Sequence, residues 1–367
     1  MPRWLDLAGW AVERYRPLFS ALAKLESSVL SDQLDGRRID RPVFICGLAR
    51  AGSTILLELL AAHPETASHR YRDFPFVHIP AWWNSFLDRA AVAGGDSTER
   101  FHEDRIRVSA DSPEAMEEPI WVSFFPHCHD PERSNVLDGN SSYPTFERFY
   151  RSHVRKVLLV REGRRFLAKN NYNLSRIGYL RKLFPDARIV VPVRDPIGHV
   201  ASSMRQHRIF SEKQRRDRST RDYLRRAAHF EFGLDRRPVN VGDRRAARRT
   251  QRLWDEGREA AGWAHYWSSV YGFVADSLAE DAGLRESVLL LHYNDLCRRS
   301  FEVLTALYRH CGLEVDEGTL EAQAAQLSAP SYHEKPFSRA EALEIRRTAS
   351  EVHDQIRRLC WQSSESS

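Results

Sequence analysis

A short loop that joins an apolar run to a helix-forming segment constrains the fold more than any other feature of this chain. The loop, GLARAGST at residues 47–54, follows the apolar run 43–46, which has the composition of a strand buried in a parallel sheet. Residues 54–62 have helical periodicity and end at His63-Pro64. A strand, a glycine-containing turn and a helix in this order predict a unit of an α/β fold.

Two further stretches repeat the alternation of strand and helix. In the first, a predicted helix at 176–184 precedes an apolar strand at 188–193, and another helix runs through 198–207. In the second, a strand within 286–296 leads to a helix at 301–313. The alternation predicts an α/β fold of the phosphate-loop type, with a doubly wound, mainly parallel sheet flanked by helices.

Two segments stand outside this alternation. Residues 1–36 have the periodicity of amphipathic helices, and we expect them to pack on a single domain at 37–367, with membrane contact the less favoured alternative. A helical, arginine-rich insertion is expected at about residues 208–262. Residues 205–252 hold 16 Lys and Arg against 6 Asp and Glu, a surplus that suits a polyanionic ligand. A solvated helical surface with ion pairs is the favoured interpretation.

Composition and cysteine content indicate a globular protein of a reducing compartment. Hydrophobic residues make up 42% of the chain, and no apolar run approaches the roughly 20 residues that span a bilayer. The five cysteines are odd in number, widely spaced and without a CxxC pair, which favours free thiols over a disulfide framework or a zinc site. We therefore expect a cytoplasmic protein whose site requires no metal.

The loop has the spacing of the nucleotide-binding motif GxxxxGK[ST], but Ser53 occupies the position of its lysine. Gly47 and Gly52 allow backbone N–H groups to converge on one anion, and the helix N-terminus adds partial positive charge there. Thr54 offers a hydroxyl donor, and Arg50 lies inside the loop. ATP and GTP enzymes use the missing lysine to reach the β- and γ-phosphates. Its absence favours a donor with a single phosphate at the reacting end.

Arg194 and Ser202 predict a second anion site. Arg194 leaves the end of the strand at 188–193, where open α/β sheets bind ligands, and Ser202 lies in the next helix. A guanidinium and a hydroxyl can together hold a phosphate through charge-assisted hydrogen bonds. An ion pair between Arg194 and Asp195, with Ser202 at the surface, is the alternative.

Several segments together resemble the sulfotransferase family that uses 3'-phosphoadenosine 5'-phosphosulfate (PAPS). FICGLARAGSTIL is similar to the family's 5'-phosphosulfate-binding loop, VVPVRDPIGHVASS to its 3'-phosphate-binding segment, and LLLHYNDL to its strand and Tyr-Glu-Asp-Leu turn. His63-Pro64, KNNYNLSRIGYLRKLFPDARIV and the tryptophan-rich GREAAGWAHYW fit the bacterial branch, which is related to the tyrosylprotein and cytosolic sulfotransferases. The similarity extends from about residue 41 to residue 313.

The resemblance implies a role for each matching residue. Arg50 replaces the loop lysine of the cytosolic branch and would neutralise the leaving phosphate, and Lys169 matches an active-site lysine. Arg194 and Ser202 would bind the 3'-phosphate, and Tyr293 would lie by the adenine. The residues that would bind the 5'-phosphate are Ala51, Gly52, Ser53 and Thr54.

The implied reaction is transfer of a sulfuryl group from PAPS to a hydroxyl or amine of an unidentified acceptor. It proceeds by in-line displacement at sulfur, for which the protein supplies positioning, a base and cations, with no metal required. The expected ligands are therefore PAPS, its product 3'-phosphoadenosine 5'-phosphate (PAP) and the acceptor, and no nucleic acid is expected.

The base is not given by the family's pattern, because Asn171 stands where the cytosolic branch has its catalytic histidine and Asn294 replaces the glutamate of the tyrosine turn. Asp73 is the favoured candidate, since the branch resembling tyrosylprotein sulfotransferases places a carboxylate soon after the same His-Pro. A salt bridge between Asp73 and Arg70 or Arg72 is the alternative interpretation. The other candidates are Glu118, Glu117, His69 and His78.

Two other classes of protein remain as alternatives. A phosphate-loop kinase or NTPase would need a lysine at Ser53 and a magnesium-binding aspartate, for which Asp195 is only a faint substitute. A basic nucleic-acid-binding protein could use the arginines of residues 205–252, but they have few interleaved aromatic residues. Aromatic residues near the base candidates could line an apolar acceptor pocket, although a core position is favoured for Trp82, Trp83, Phe86, Trp121, Phe124 and Phe125.

Overall fold

The computed structural model describes residues 3–90, 98–99, 107–327 and 336–362. Its strands are β1 (Val43–Ile45), β2 (Thr66–Ala67), β3 (Thr98–Glu99), β4 (Arg107–Val108), β5 (Arg165–Lys169), β6 (Arg188–Val193) and β7 (Val288–His292). Five strands form one sheet in the order β2-β5-β1-β6-β7, and every neighbouring pair in it is parallel. β3 and β4 form a separate antiparallel pair.

Helices connect and cover the strands. In chain order they are α1 (Arg3–Arg14), α2 (Arg16–Val29), α3 (Ser31–Asp35), α4 (Ser53–Ala61), α5 (Pro80–Arg89), α6 (Glu118–Phe124), α7 (Pro144–Arg161), α8 (Ile177–Leu183), α9 (Pro196–Arg216), α10 (Arg218–Arg226), α11 (Arg244–Asp255), α12 (Glu259–Glu280), α13 (Ala282–Ser287), α14 (Tyr293–Arg298), α15 (Ser300–Cys311), α16 (Glu317–Gln326) and α17 (Arg339–Leu359). Single 3₁₀ segments cover Tyr71–Asp73 and Asn171–Arg176.

The core has two layers, one on each face of the sheet. Successive side chains of a strand point to opposite faces, so Phe44 joins one cluster whereas Val43 and Ile45 join the other. The cluster on the Phe44 side includes residues of α7, α9, α12 and α17, and the opposite cluster includes residues of α4 and α15. Burial on both faces explains why the strand sequences are continuous apolar runs. The arrangement confirms the predicted parallel sheet flanked by helices.

The N-terminal helices lie on the outside of this core. Glu26 of α2 and Lys156 of α7 form a fully buried ion pair of 2.8 Å that fixes α2 to the domain. α1 packs against α10 through Arg226, whose guanidinium binds Asp6 and lies 3.4 Å from Glu13.

The arginine-rich stretch is helical and laced with ion pairs. Arg221 and Arg225 both bind Asp235, and two arginines of α11 bind Glu132. Arg236 binds Glu259 and lies over the Trp254 and Trp263 rings, so its guanidinium is part of the packing rather than free for a polyanion.

Candidate functional site

The residues expected to bind the donor leave neighbouring strands at the same edge of the sheet. β1 leads into the loop at 47–52, β5 ends at Lys169, β6 leads directly into Arg194, and β7 ends one residue before Tyr293. Open α/β sheets bind ligands at the carboxyl ends of their parallel strands. The topology thus gathers residues that are more than two hundred positions apart in the sequence.

Two glycines let the loop fold closely against its neighbours. A β-carbon on Gly47 would lie 2.7 Å from the ring of Pro192, and one on Gly52 would lie 2.7 Å from the ring of Tyr293. Gly52 also has a φ of +103°, a conformation that favours glycine. α4 begins at Ser53, and its first N–H groups lack acceptors within the helix, so they are available to an anion held by the loop.

Arg50, Ser202, Arg194 and Tyr293 meet beside the loop. Arg50 Nε donates to the Ser202 hydroxyl at 3.1 Å, and the Arg194 guanidinium lies 5.1 Å from the centre of the Tyr293 ring. The Arg194 Nε is buried and has no hydrogen-bond partner among the residues that the structure describes. A buried guanidinium N–H without an acceptor favours an anionic ligand at this position.

His199 of α9 is buried close to the two arginines. Its burial, together with the charges of Arg194 and Arg50, lowers the pKa of the imidazole to about 3. The ring is therefore neutral near pH 7, and the positive charge of this region comes from the guanidinium groups.

A cleft with a cavity volume of about 110 Å³ opens beside the loop and is lined by Arg50, Lys169, Glu114 and Tyr71, among other residues. Lys169 Nζ lies 3.8 Å from Glu114 Oε1, and the Tyr71 hydroxyl donates to Glu114 Oε2. The cleft thus holds two cations and a carboxylate that already accepts a hydrogen bond from a hydroxyl group. Such a set can neutralise a leaving anion and take a proton from an attacking hydroxyl.

Asn171 is held at the edge of the cleft by Glu231. Its Nδ2 donates to Glu231 Oε1 at 2.8 Å, and the Ser53 hydroxyl donates to its Oδ1 at 3.4 Å. The other Glu231 oxygen lies 2.5 Å from Nδ1 of His229, which also lines the cleft. Burial raises the pKa of Glu231, but His229 and hydrogen bonds from Asn171 and Tyr172 together lower it to about 2.

The structure places Asp73 outside the lining of this cleft. Its carboxylate is 1% exposed and accepts hydrogen bonds from His69 Nδ1 at 3.0 Å, Asn84 Nδ2 at 2.9 Å, the Arg70 backbone N–H at 3.0 Å and the Arg161 guanidinium. Burial raises its pKa, but these partners hold that pKa well below its ordinary range. A carboxylate so enclosed leaves no room for an acceptor, so the geometry does not support Asp73 as the base. Its partner is Arg161 rather than a neighbouring arginine side chain.

Glu118 lines the cleft but is fully engaged. Arg176 forms two hydrogen bonds of 2.8 Å with it, Asn170 donates at 2.6 Å, and His129 Nε2 lies 2.7 Å away. Burial raises the pKa of Glu118, but Arg176 and His129 lower it to about 2. Ligand atoms of Glu118, Cys128 and His129 lie within 4.8 Å of one another. Because Arg176 already neutralises the carboxylate, we assign this group a structural role.

The other base candidates are buried away from the cleft. Glu117 accepts a hydrogen bond of 2.7 Å from Tyr150, and burial raises its pKa to about 7. His69 Nε2 lies 3.0 Å from His153 Nε2, and burial lowers the pKa of His78 to about 4. None of these candidates lines the cleft, nor do the six aromatic residues considered for an acceptor pocket.

Sequence reasoning missed the carboxylate that the cleft does contain. Glu114 lies three residues before Glu117 in EAMEEPIW, where no local pattern distinguishes one glutamate from the next. Its position depends on a bridge between Arg70 and Pro113, which brings it beside Tyr71. This contact joins segments about forty residues apart, so the position of Glu114 in the cleft can be seen only in the three-dimensional structure.

Comparison with known proteins agrees with this geometry. A model of the sulfotransferase family matches residues 42–245, more than half of the chain. The sulfotransferase STF9 of Mycobacterium avium has a similar fold, with a TM-score of 0.50 and 14% identity over 90% of this chain and 80% of that one. The sulfotransferase STF1 of Mycobacterium tuberculosis is 16% identical over 95% of this chain and 86% of that one, with a TM-score of 0.47. No curated protein sequence matches the chain significantly. Since the family model covers the loop, Lys169, Arg194 and Ser202, the chain belongs to the sulfotransferase family.

Proposed function

We propose that the protein transfers a sulfuryl group from PAPS to a hydroxyl or amine of its acceptor. The observation that carries the proposal is the meeting of Arg50, Ser202, Arg194 and Tyr293 beside a phosphate loop whose lysine is replaced by Ser53. One anion site at the loop and a second at Arg194, with an aromatic ring between them, match a nucleotide that carries phosphates at both its 5' and 3' positions. Membership of the sulfotransferase family argues against the alternative of a phosphate-loop kinase or NTPase.

The residues present fit this donor. Arg50 and the backbone N–H groups of Gly52, Ser53 and Thr54 would hold the 5'-phosphate, and the Thr54 side chain lines the cleft. The N–H of Ala51, also expected there, donates instead to the Leu48 carbonyl at 3.1 Å. Arg194, with its unpartnered buried Nε, and Ser202 would hold the 3'-phosphate. Tyr293, packed on Gly52, would lie by the adenine.

Bound PAPS supplies the sulfuryl group, and the residues of the cleft supply the rest of the chemistry. We assign Glu114 as the general base that takes the acceptor proton, because its carboxylate lines the cleft and its cationic neighbour Lys169 lies 3.8 Å away, whereas Arg176 binds Glu118 through two hydrogen bonds of 2.8 Å. As the acceptor oxygen bonds to sulfur and the bond from sulfur to the 5'-phosphate oxygen breaks, Arg50 and Lys169 neutralise the charge on the departing phosphate. The step needs no metal. The five free thiols are consistent with the expected cytoplasmic location.

Ligand-induced thermal stabilisation tests the donor assignment. PAP at 100 times its dissociation constant should raise the free energy of unfolding by about 2.7 kcal/mol, in buffer that contains a chelator. ATP with magnesium, which lacks the 3'-phosphate, is the matched control and should stabilise less. The proposal fails if millimolar PAP gives no shift in melting temperature or if the shift requires magnesium. Transfer of label from radioactive PAPS then identifies the acceptor.

A further inference from the structure

The outer surface of the two N-terminal helices carries large apolar side chains in contact with solvent. On α1, Trp4, Leu7 and Trp10 are 55%, 65% and 46% exposed. On α2, Leu18 and Val29 are 55% and 63% exposed. Tyr15 links the two helices, since its ring lies 6.3 Å from that of Trp10 and one turn before Leu18. We refer to the residues Trp4, Leu7, Trp10, Tyr15, Leu18, Leu25 and Val29 as the apolar stripe.

The stripe is exposed because the inner side of α1 is already packed. Gly9 faces the domain so closely that a β-carbon there would lie 3.3 Å from Arg226 Cδ and 3.6 Å from the Phe74 ring. Asp6 and Glu13 bind Arg226. Trp4, Leu7 and Trp10 of α1 therefore point outward, and none of the described residues covers their side chains.

The charges on the outer surface are mainly basic. Arg14 and Lys24 are exposed on the same two helices, and the Arg14 guanidinium lies 5.6 Å from the Tyr15 ring centre. Among the acidic residues of the two helices, Glu26 is buried against Lys156, whereas Asp6 and Glu13 are 39% and 45% exposed but are paired with Arg226.

We propose that the apolar stripe docks the protein onto an anionic lipid surface. Tryptophan and tyrosine rings beside arginine and lysine are the side chains that an amphipathic helix uses at a membrane interface. A second copy of the chain would bring like charges together, which disfavours it as the occupant. No helix in the described parts of the chain is long and apolar enough to cross a membrane, so the contact is with the surface of the bilayer.

The stripe lies close to the candidate active site. Phe74 packs under Gly9 on one side and edge-on against Tyr223 of α10 on the other, with 5.0 Å between ring centres. Tyr223, Leu224 and the residues after α10 line the cleft. Docking through the outer side of α1 would therefore place this wall of the cleft behind α1 and the Phe74 ring, on the side of the helix that faces away from the lipid. The docking proposal itself does not depend on the proposed enzymatic function.

Flotation of the full chain with vesicles tests the proposal. We expect binding to vesicles of equal parts phosphatidylcholine and phosphatidylglycerol, weaker binding to phosphatidylcholine alone, and loss of binding as salt is raised. Trp4→Ser/Trp10→Ser should lower the bound fraction by about tenfold or more. The matched control, Phe301→Ser/Leu343→Ser, removes two exposed apolar side chains elsewhere and should bind like the parent protein.

Three outcomes would overturn the docking proposal. Failure of the parent protein to float with anionic vesicles at low salt would do so, as would equal loss of binding in both double variants. A concentration-dependent dimer that Trp4→Ser/Trp10→Ser dissociates, without vesicle binding, would assign the stripe to a second copy instead. PAP-induced stabilisation is measured on every variant. Its presence without vesicle binding rejects the docking surface alone, and its absence with vesicle binding rejects the donor assignment alone.

Discussion

Under the proposed function, the position of Arg50 would determine which ligand the phosphate loop accepts. Arg50 stands inside the loop rather than at its end, and its Nε reaches Ser202 of α9. A cation there would lie beside a single phosphate held by the loop, whereas the usual lysine extends to a second and third phosphate. The replacement of that lysine by Ser53, whose hydroxyl turns to Asn171, removes the reach that a triphosphate needs.

Arg194 offers the first prediction, because it should read the 3'-phosphate only. Arg194→Ala should weaken PAP binding by about 1.5–3 kcal/mol, the cost of losing a charge-assisted hydrogen bond. It should leave the affinity for adenosine 5'-phosphosulfate, which has no 3'-phosphate, nearly unchanged. Calorimetric titration with both ligands measures the difference. Equal weakening of both would show that Arg194 acts on the loop instead, through its contact with the Arg50 carbonyl.

A second prediction separates Glu114 from Asp73. Glu114→Gln keeps the size of the side chain but cannot take a proton, so PAP affinity should persist while single-turnover sulfuryl transfer falls by about 10²–10⁴-fold. Asp73→Asn should instead leave Arg161 buried without its charge partner and lower the free energy of unfolding by about 3–5 kcal/mol. The Asp73→Asn molecules that remain folded should transfer the sulfuryl group at the rate of the parent protein.

Measured turnover decides between these carboxylates. Near-normal turnover in Glu114→Gln would exclude Glu114 and direct attention to His229, which lines the same cleft beside Glu231. Loss of turnover in a fully folded Asp73→Asn protein would restore Asp73 as a candidate. Unfolding curves of both variants are needed, because a destabilised protein also loses activity.

The contrast between these residues shows where sequence reasoning ends. Arg50, Arg194 and Tyr293 could be placed because each follows a strand, and the carboxyl ends of parallel strands share one edge. Asp73 follows only the two-residue strand β2, and Glu114 follows no strand of the sheet, so their positions depend on contacts between distant segments. His69 and Arg161 enclose the first, and Tyr71 and Lys169 place the second in the cleft.

At the scale of elements, the loop and the start of α14 form one unit. Tyr293 is the first residue of α14, and its ring covers Gly52 at the start of α4. The Arg194 guanidinium lies over the same ring. One aromatic ring therefore contacts a residue of the loop after β1 and the first residue after β6, and a β-carbon on Gly52 would collide with that ring.

Gly52→Ala tests this arrangement. The substitution would force an alanine to a φ of +103° and push its β-carbon into the Tyr293 ring, so both folding stability and PAP affinity should fall. Gly242→Ala is the matched control, because Gly242 has a φ of +95° but no atom within 4 Å of its would-be β-carbon. The control should lose about 1–2 kcal/mol of stability and keep its PAP affinity. Equal PAP affinity in both variants would mean that packing on Tyr293 does not shape the site.

The elements themselves could be predicted wherever burial imposed a simple pattern. The strand predicted at 188–193 coincides with β6, and the helices predicted at 54–62 and 301–313 correspond to α4 and α15. The strand β2 could not be predicted from the sequence, because a segment of two residues is too short to show a hydrophobic periodicity. The helix predicted at 176–184 corresponds to α8, which begins one residue later because Arg176 ends a 3₁₀ segment and turns inward to Glu118.

At the scale of the whole molecule, the interior holds several histidines that cannot readily become charged. Each is at least nine-tenths buried, and burial is the main cause that lowers its pKa. For His78 and His292 the pKa falls to about 4, for His199 to about 3, and for His153 well below its ordinary value. The unfolded chain has no such constraint, and its histidines take up protons near pH 6.5.

This difference predicts that the fold loses stability on mild acidification. The folded-state pKa values are depressed, so the four histidines contribute full stability above about pH 6.5, and that contribution is lost as the pH falls toward 4. Each can cost up to about 1.4 kcal/mol per pH unit in that window. Glu117 acts in the opposite sense, because its raised pKa of about 7 stabilises the fold as the pH falls.

Denaturant unfolding at pH 7.5, 6.5 and 5.5 measures this slope, and His78 tests its origin. His78→Gln keeps a polar group near the Ser123 hydroxyl, 3.0 Å from the imidazole, but removes one titrating site. The variant should be less stable at pH 7.5, yet its stability should fall less steeply, by up to about 1.4 kcal/mol per pH unit. His127→Gln, at an exposed position, should leave the slope unchanged. If the slope for His78→Gln equals that of the parent protein, the acid sensitivity has another source. A buried imidazole that stays neutral in the folded state must make the free energy of unfolding depend more steeply on pH, because only the unfolded chain takes up the proton.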